Sequence, residues 1–358
     1  MSPSELQEEI RTVQIGSHRV GEGEPAFVIA EAGVNHDGSM GRALQMVDVA
    51  ARGGADAIKF QLFSANDLVT RRGPTAAYQL NATGDASQQA MLSRLELSDD
   101  ACHQIRDRCK ARSIMFLATP FGLFEVDRAL SLGVDAIKIA STDLTHTALL
   151  ERAVTTSLPI ILSTGASTEA EIRDAVTHIQ TLGGGDRLIL LHCVSRYPTP
   201  ISAINLRSVS VLHHMFGVPT GLSDHTTEVD VGALAVAAGA GIIEKHFTLD
   251  PGATGPDHAM SLSPTQLGGY IAAIRRGESA MGRNEIGLTP EEHDVRTTAT
   301  RSVVAAKDIP IGSVLTADML TIKRPGTGIP AGAIQELIGR RACAPIKIDT
   351  TITWAMVR

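Results

Sequence analysis

Two histidines end consecutive apolar segments, His225 in GLSDH and His246 in IIEKH. Neutral imidazole is the commonest protein ligand for transition metals. One histidine at the end of a strand is more often structural. Two of them on neighbouring strands, with Asp and Ser close by in the chain, favour a divalent-metal site. Such a site leaves coordination positions open for a substrate oxygen and water, as a Lewis acid requires.

Cationic and hydroxyl side chains end several other apolar segments. Lys59 lies in AIKFQ and Lys138 in AIKIAS, while Ser141, Ser163 and Ser223 follow or end the segments IKI, IIL and TGL. If they converge, these groups form a cradle for a phosphate or an oxyanion. A lysine in this setting could instead be a Schiff-base nucleophile, as in aldolases. Position in the sequence does not separate the two roles.

Carboxylates form a third group, at Glu31, Asp143, Asp224 and Asp257. Near a cation and a phosphate, such groups serve as general bases or accept hydrogen bonds from a polyhydroxylated substrate. Asp224, which directly precedes His225, could instead orient the loop that follows it.

The elements that must position these residues are eight short apolar runs separated by helical patterns. The runs are AFVIAE, ADAIKFQ, SIMFLATP, VDAIKIAS, LPIILST, DRLILLHC, VPTGLSDH and AGIIEKH. Continuous apolar strands that alternate with amphipathic helices are typical of parallel βα units. Eight units in roughly 250 residues predict a closed (β/α)8 TIM barrel, with all the polar strand ends at one rim. The alternative is that polar residues simply mark strand ends.

The remaining chain predicts a second, smaller domain. A long connection from Phe63 to Ser98 is expected to be an excursion near the substrate. We assign residues 1–284 to the barrel, 285–299 to a charged linker, and 300–358 to a small C-terminal domain of short strands and turns.

Composition excludes several classes of protein. The chain is 43% hydrophobic and 20% charged, with a formal charge of −7, and its Lys and Arg residues do not cluster, so no nucleic-acid partner is expected. The N-terminal sequence has no apolar signal region, and no apolar run reaches the length of a membrane span. The four cysteines form no CxxC pair. We therefore expect a cytoplasmic protein without a membrane partner.

Nine segments, taken in order, resemble the signature segments of the sialic acid synthase family, which includes N-acetylneuraminate, legionaminic acid and pseudaminic acid synthases. The segments are AEAGVNHDG, AIKFQLF, TPFG, IKIAS, LSTG, LHCVSRYPTP, GLSDHT, IEKHFTLD with GPDHAMS, and RPGTGI. The resemblance runs from about residue 25 to the C-terminus. It implies that the small C-terminal domain is an SAF, or antifreeze-like, domain.

The resemblance implies a transferase that condenses phosphoenolpyruvate with an N-acetylated amino-sugar aldehyde, giving a nine-carbon 2-keto acid and phosphate. It implies Mn²⁺, or alternatively Mg²⁺ or Co²⁺, on His225 and His246, and Glu31 as the group that transfers protons. The phosphoenolpyruvate ligands would be Lys59, Lys138, Ser141, Ser163, Ser195, Tyr197 and Ser223. The sugar ligands would be Gln61, Asp143, Tyr197, Asp257 and Arg324.

Arg324, in RPGTGI, resembles an arginine that reaches from the SAF domain of one subunit into the barrel of another, which implies a domain-swapped homodimer. Ser195 and Asp143 stand where some members have asparagine and glutamate. Two alternatives stay open from the sequence. One is a metal- or Schiff-base-dependent pyruvate aldolase, and the other is a carbohydrate- or ice-binding protein without catalysis.

Overall fold

The structure is a computed structural model that describes residues 11–282 and 285–358. These residues form two compact units, one ending at Gly282 and the other beginning at residue 285. The predicted boundary at residue 284 falls within residues 283–284, and the start of the predicted barrel domain falls within residues 1–10. Both stretches lie outside the described residues, so these domain limits stay predictions.

The first unit begins with an antiparallel hairpin and continues as a parallel barrel. The hairpin strands are β1 (Thr12–Ile15) and β2 (His18–Gly21). Within residues 11–282, eight further strands close a barrel in the order β10-β3-β4-β5-β6-β7-β8-β9. They are β3 (Phe27–Gly33), β4 (Ala57–Leu62), β5 (Met115–Pro120), β6 (Ile137–Ile139), β7 (Ile160–Ser163), β8 (Leu188–Cys193), β9 (Thr220–Asp224) and β10 (Ile242–His246). The TIM barrel predicted from the sequence is confirmed, and each predicted apolar run overlaps one barrel strand.

Helices follow the strands and cover the barrel. They are α1 (Met40–Gly53), α2 (Ala65–Leu68), α3 (Ala77–Thr83), α4 (Gln88–Ser93), α5 (Asp99–Arg112), α6 (Leu123–Leu132), α7 (Thr147–Thr155), α8 (Glu169–Thr181), α9 (Arg207–Phe216), α10 (Val231–Ala237) and α11 (Pro264–Met281). Local chemistry sets their limits. Ser263 and Gln266 form a capping box at the start of α11, with Pro264 in its first turn. Among the described residues, no helix is both long enough and apolar enough to cross a membrane.

The half of the barrel interior nearer the amino ends of the strands, here called the lower half, is apolar. Side chains on alternate strand positions, among them Phe27, Ile29, Leu117 and Ile161, pack into one buried cluster. Gly221 also lies in this layer. Only glycine fits at this position, because a Cβ there would lie 1.9 Å from the Ile242 carbonyl oxygen.

The hairpin β1–β2, which the sequence analysis did not predict, covers the amino ends of the strands. Val13, Ile15 and Val20 belong to the same buried cluster as the lower barrel interior. Gly16 in its turn faces Met115 and Asp135, which precede or begin strands β5 and β6. The hairpin therefore provides the floor of the barrel.

The long connection after β4 forms the short helices α2 to α4. Phe63, Ala65, Met91 and Leu92 pack there into a separate apolar cluster with Val34, from the loop after β3. The excursion therefore lies at the carboxyl ends of the strands, on the side where the sequence predicted it.

The second unit has an apolar core of its own. Its elements are α12 (His293–Ala299), β11 (Ser302–Ala305), β12 (Leu320–Lys323) and α13 (Ile334–Leu337). Val303, Leu315, Ile329 and Ile352 are among the residues buried in this core. The segment predicted as a linker thus includes a helix, α12, whose residues are mostly exposed.

Candidate active site

A polar layer lies directly above the apolar interior, because strand alternation directs the next inward-facing positions toward the rim. Each of these residues lies two positions after a residue of the apolar layer. They are Glu31, Lys59, Thr119, Lys138, Ser163, Cys193, Ser223 and Glu244. All are buried. These polar side chains at the carboxyl ends of the strands therefore line one chamber. It lies where TIM-barrel enzymes hold their active sites.

Two lysines and two glutamates make up the centre of this layer. The Lys59 ammonium lies 2.7 Å from a carboxylate oxygen of Glu31 and 3.6 Å from one of Glu244. It also donates to the Thr119 hydroxyl at 2.7 Å. Lys138 approaches the other oxygen of Glu244 at 3.6 Å. Glu244 thus bridges the two cations that the sequence identified as candidates for binding an anion.

Burial and neighbouring charges drive the pKa values of the two carboxyl groups apart. Burial raises the pKa of Glu31 to about 7 although Lys59 opposes the shift. Burial also disfavours ionised Glu244, but Lys138 and Lys59 outweigh it and lower the pKa of that carboxyl to about 2. Glu31 is therefore suited to exchange a proton near neutral pH, whereas Glu244 stays ionised.

The two lysines also differ. Burial lowers the pKa of Lys138 against the opposing charge of Glu244. For Lys59, burial acts in the same direction, but Glu244 and Glu31 outweigh it and raise the pKa. Lys59 is thus held as a cation by two carboxylates, and Lys138 is the less strongly paired cation.

The two histidines lie side by side at the rim, with ring centroids 5.5 Å apart. His225 donates from Nδ1 to the Val194 carbonyl oxygen at 2.9 Å, so its Nε2 lone pair is available to a ligand. Tyr197 packs on the same ring at a centroid distance of 4.3 Å. The sequence prediction that these two imidazoles lie together is in agreement with this geometry.

His246 is the better test of whether a metal fits. Its Nδ1 is buried without a hydrogen-bond partner among the described residues, although Asp257 lies 3.9 Å away. Burial lowers the pKa of His246 well below its usual value, which favours the neutral form that ligates metals. In the described part of the chain no three His, Cys, Asp or Glu side chains group as metal ligands. The donor set fits an ion held by two imidazoles with its other positions open.

Serine hydroxyls converge on the opposite side of the chamber, around Gly165. The Gly165 N–H donates to the Ser141 hydroxyl at 2.9 Å. A Cβ at Gly165 would lie 2.5 Å from the Ser195 hydroxyl and 3.0 Å from the Cys193 sulfur. The loop after β7 therefore needs glycine to let these groups approach one another. Ser163, two residues earlier, has a buried hydroxyl with no partner among the described residues.

The predicted sugar ligands are only partly brought together. Asp257 lies close to Glu31 and His246, since a Cβ at Gly33 would be 3.4 Å or less from each of the three. Asp143 is half-buried in the turn Ser141–Asp143 after β6, and burial raises its pKa to about 6.

The two other predicted sugar ligands are Gln61 and Arg324. Gln61 is partly exposed near the end of β4. Arg324 is exposed on the second unit.

Three residues of the chamber had been given no role from the sequence. Glu244, Thr119 and Cys193 face the chamber, and the signal that could have found them is their spacing of two from other inward residues. For Asp224 the sequence left two roles open, a general base or an orienter of the loop that follows it, and its bond from the Thr226 N–H agrees with the second. Asp224 points away from the chamber, where it contacts Lys245 and Tyr270 behind the barrel wall.

His36, in the loop after β3, gives a pH-dependent prediction. It is fully buried against Phe60, and burial lowers its pKa from 6.5 to about 4. Between those pH values the unfolded chain binds a proton that the folded chain does not, so stability falls as the pH falls. The loss has an upper limit of about 3 kcal/mol. Urea unfolding of His36→Asn should show a flatter dependence between pH 6.5 and 4.

The matched control is His214→Asn, at an exposed position on α9. This variant should keep the pH dependence of the wild type. Equal slopes for His36→Asn and the wild-type protein would contradict the assignment.

Comparison with known proteins agrees with this geometry. The NeuB family model matches residues 46–286, and the SAF domain model matches residues 300–358. The chain is 37% identical over 332 residues to N,N'-diacetyllegionaminic acid synthase of Legionella pneumophila, covering 92% of this chain and 93% of that protein. The corresponding synthase of Campylobacter jejuni is 38% identical over 329 residues, covering 91% and 98%.

A solved structure leads to the same family. The N-acetylneuraminic acid (sialic acid) synthetase of Leptospira borgpetersenii serovar Hardjo-bovis, in complex with citrate, superposes with a TM-score of 0.72 at 32% identity. The alignment covers 80% of this chain and 95% of that one. The barrel, its ordered polar strand ends and the C-terminal SAF domain all fit one assignment: this chain belongs to the NeuB family of nonulosonic acid synthases.

Proposed function

We propose that this protein condenses phosphoenolpyruvate with an N-acetylated amino-sugar aldehyde to give a nine-carbon 2-keto sugar acid and phosphate. The observation that carries the proposal is the pair Lys59 and Lys138, bridged by Glu244 below two adjacent imidazoles. A binding protein has no need of a buried cation pair and two adjacent imidazoles in one chamber.

Phosphoenolpyruvate carries a carboxylate and a phosphate, and the chamber offers donors to both. The ammonium groups of Lys59 and Lys138 supply positive charge, and the hydroxyls of Ser141, Ser195 and Ser163 supply directed hydrogen bonds. The unpartnered Ser163 hydroxyl supports this role, because a buried donor without a partner is costly unless a ligand satisfies it. Ser223, which donates to Glu244 at 2.9 Å, and Tyr197 complete the set.

His225 and His246 would hold a divalent ion, for which Mn²⁺ is our first candidate and Mg²⁺ or Co²⁺ the alternatives. When bound, such an ion polarises the aldehyde oxygen of the open-chain sugar. Tyr197 and the Val194 carbonyl group fix the ring of His225. The neutral form of His246 keeps its lone pair available.

Glu31 is the proposed proton-transfer group. The C2=C3 electron pair of phosphoenolpyruvate forms a bond from C3 to the aldehyde carbon, and water adds at the cationic C2. Glu31 accepts one proton of that water and passes it to the former aldehyde oxygen, which becomes a hydroxyl. The C2 hydroxyl then gives its proton to the departing phosphate as the C2–O bond to phosphate breaks and the C2 carbonyl forms. The Glu31 pKa of about 7 lets the carboxyl take up and release a proton at neutral pH, while Glu244 remains an anion that keeps the lysines in place.

The sugar would lie above the histidines, with its hydroxyl and acetamido groups bound by Gln61, Asp143, Tyr197 and Asp257. The position of Asp257 beside His246 supports this arrangement. Two relatives at 37% and 38% identity are named as diacetyllegionaminic acid synthases. We therefore propose 2,4-diacetamido-2,4,6-trideoxymannose as the preferred sugar, ahead of N-acetylmannosamine and the pseudaminic acid precursor.

Phosphate release tests the function. With phosphoenolpyruvate and Mn²⁺, the 2,4-diacetamido sugar should give a kcat/KM at least tenfold above that for N-acetylmannosamine. Preference for another of the three sugars would overturn the choice of substrate but keep the reaction. Absence of phosphate release with all three would overturn the reaction itself. Turnover with pyruvate, together with borohydride trapping on Lys59 or Lys138, would favour the aldolase alternative.

We also propose that the active enzyme is a domain-swapped homodimer in which Arg324 of one subunit reaches the barrel of its partner. The exposure of Arg324 on the second unit is compatible with this role. Subunits carrying Arg324→Ala and His246→Ala should each be nearly inactive alone. After mixing and subunit exchange, they should recover up to about a quarter of wild-type activity, because some dimers then contain one intact site. No recovery after verified exchange would contradict the role in trans.

A further inference from the structure

A buried polar cluster lies behind the two histidines, on the outer face of the barrel wall. Lys245 is fully buried, and its ammonium lies 3.1 Å from a carboxylate oxygen of Asp224. It also donates to the Thr226 carbonyl oxygen and lies 5.5 Å from the centroid of the Tyr270 ring. The Tyr270 hydroxyl donates to the same Asp224 oxygen at 2.9 Å.

The charged groups of the cluster all have partners, as charges at this depth require. The second oxygen of Asp224 accepts the Thr226 N–H at 2.8 Å. Neither side chain of the ion pair has any exposed surface. A buried ion pair adds little to stability compared with apolar residues of the same volume, so stability alone is a weak reason for its presence.

The position of the cluster suggests what it does. Asp224 and Lys245 are register partners on the adjacent strands β9 and β10. Each directly precedes a candidate metal ligand, His225 or His246. Since successive side chains of a strand point to opposite faces, the ion pair on the outer face is linked to the imidazole pair on the inner face. Tyr270 ties both strands to α11.

We infer that the Asp224–Lys245–Tyr270 cluster is a positioning device that fixes the separation of His225 and His246 for one divalent ion. This inference rests on the metal site of the proposed function. None of the three residues touches the ion or the substrates. They act through the backbone of β9 and β10, because His225 directly follows β9 and His246 ends β10. Outer groups that orient metal ligands commonly contribute about 10- to 100-fold to metal affinity.

The experiment measures binding of Mn²⁺ alone to the full-length protein, from the loss of the free-ion electron paramagnetic resonance signal. Thermal unfolding of the metal-free protein is measured beside it. Asp224→Asn and Tyr270→Phe should weaken Mn²⁺ binding by about 10- to 100-fold. Tyr270→Phe keeps the ion pair and removes one hydrogen bond, so it remains informative if Asp224→Asn fails to fold.

A double variant separates positioning from folding. Asp224→Leu with Lys245→Met removes both charges and keeps an apolar interior, so it should unfold at a temperature near that of the wild type while binding Mn²⁺ weakly. The control is Asp56→Asn, which breaks a 2.9 Å ion pair with Arg275 of α11 near the amino end of β4. It should lower the unfolding temperature and leave Mn²⁺ affinity unchanged.

The possible failures are distinguishable. If the wild type and Asp56→Asn bind Mn²⁺ and the cluster variants bind it within twofold of the wild type, the positioning role is overturned and the metal site stands. If Asp56→Asn weakens Mn²⁺ binding as much as the cluster variants do, the effect is a general loss of stability and the inference is overturned. If the wild type binds no Mn²⁺, the metal role falls and this inference falls with it.

Discussion

Replacing His246 with alanine is expected to lower kcat/KM for phosphate release by about 1,000-fold or more and to abolish tight Mn²⁺ binding. The variant removes one of the two imidazoles whose ring centroids lie 5.5 Å apart. A Lewis acid contributes several kcal/mol to stabilisation of a transition state, and about 4 kcal/mol corresponds to a factor of 1,000 in rate. Phosphate-release kinetics and an Mn²⁺ titration measure the two effects.

His214→Ala is the matched control, because that histidine is exposed on α9. It should retain wild-type kinetics and Mn²⁺ affinity. Retention of more than a third of the activity by His246→Ala, or full activity of the wild type after dialysis against a chelator, would remove the metal from the mechanism.

Lys59→Met is expected to have an effect of similar size through a different cause. The substitution keeps the length of the side chain but leaves Glu31 and Glu244 in a buried chamber without the cation that contacts both. Removal of one partner of a buried ion pair destabilises a protein by about 3–5 kcal/mol. The anionic substrate also loses its central donor, so kcat/KM should fall by about 1,000-fold or more.

The pH dependence distinguishes this cause from simple misfolding. Without Lys59 the pKa of Glu31 should rise further, because that ammonium opposes the effect of burial in the wild type. A folded-state pKa above the unfolded value means that stability falls as the pH rises from the unfolded pKa, 4.5, through the folded one. Lys59→Met should therefore regain thermal stability relative to the wild type as the pH is lowered from 8 toward 5.

Lys110→Met, at an exposed position on α5, is the control for loss of a positive charge. It should leave both kinetics and the pH dependence of stability unchanged. If the unfolding temperatures of Lys59→Met and the wild type change with pH in the same way across this range, Glu31 and Glu244 are not paired with Lys59 as described.

The sequence allowed the barrel to be predicted because its strands are continuous apolar runs with polar ends. The apolar lower interior changes to the polar chamber between successive inward positions of a strand, such as Ile29 and Glu31. The hairpin β1–β2 could not be predicted in the same way. Its residues Val13, Ile15 and Val20 lie in a short segment with polar neighbours. They are buried because they pack against the lower interior of the barrel.

The candidate site was predictable in its residue types more than in its pairings. His225 and His246 were identified because imidazoles at adjacent strand ends are conspicuous. The role of Glu244 depends on the distances from its carboxylate to Lys59 and Lys138, which no sequence pattern provides. Asp224 differs from His225 by one position, and that single step places it on the other side of the barrel wall.

The apolar floor has a consequence for attempts to change the sugar of the proposed reaction. The lysines and glutamates of the chamber lie directly above packed apolar side chains. Water cannot enter beneath them, so it cannot compensate for a rearrangement of these charged groups. Gln61 and Asp143 lie higher, where water can fill space that a new side chain leaves. Directed evolution toward other amino sugars should therefore sample these upper positions and leave the floor intact.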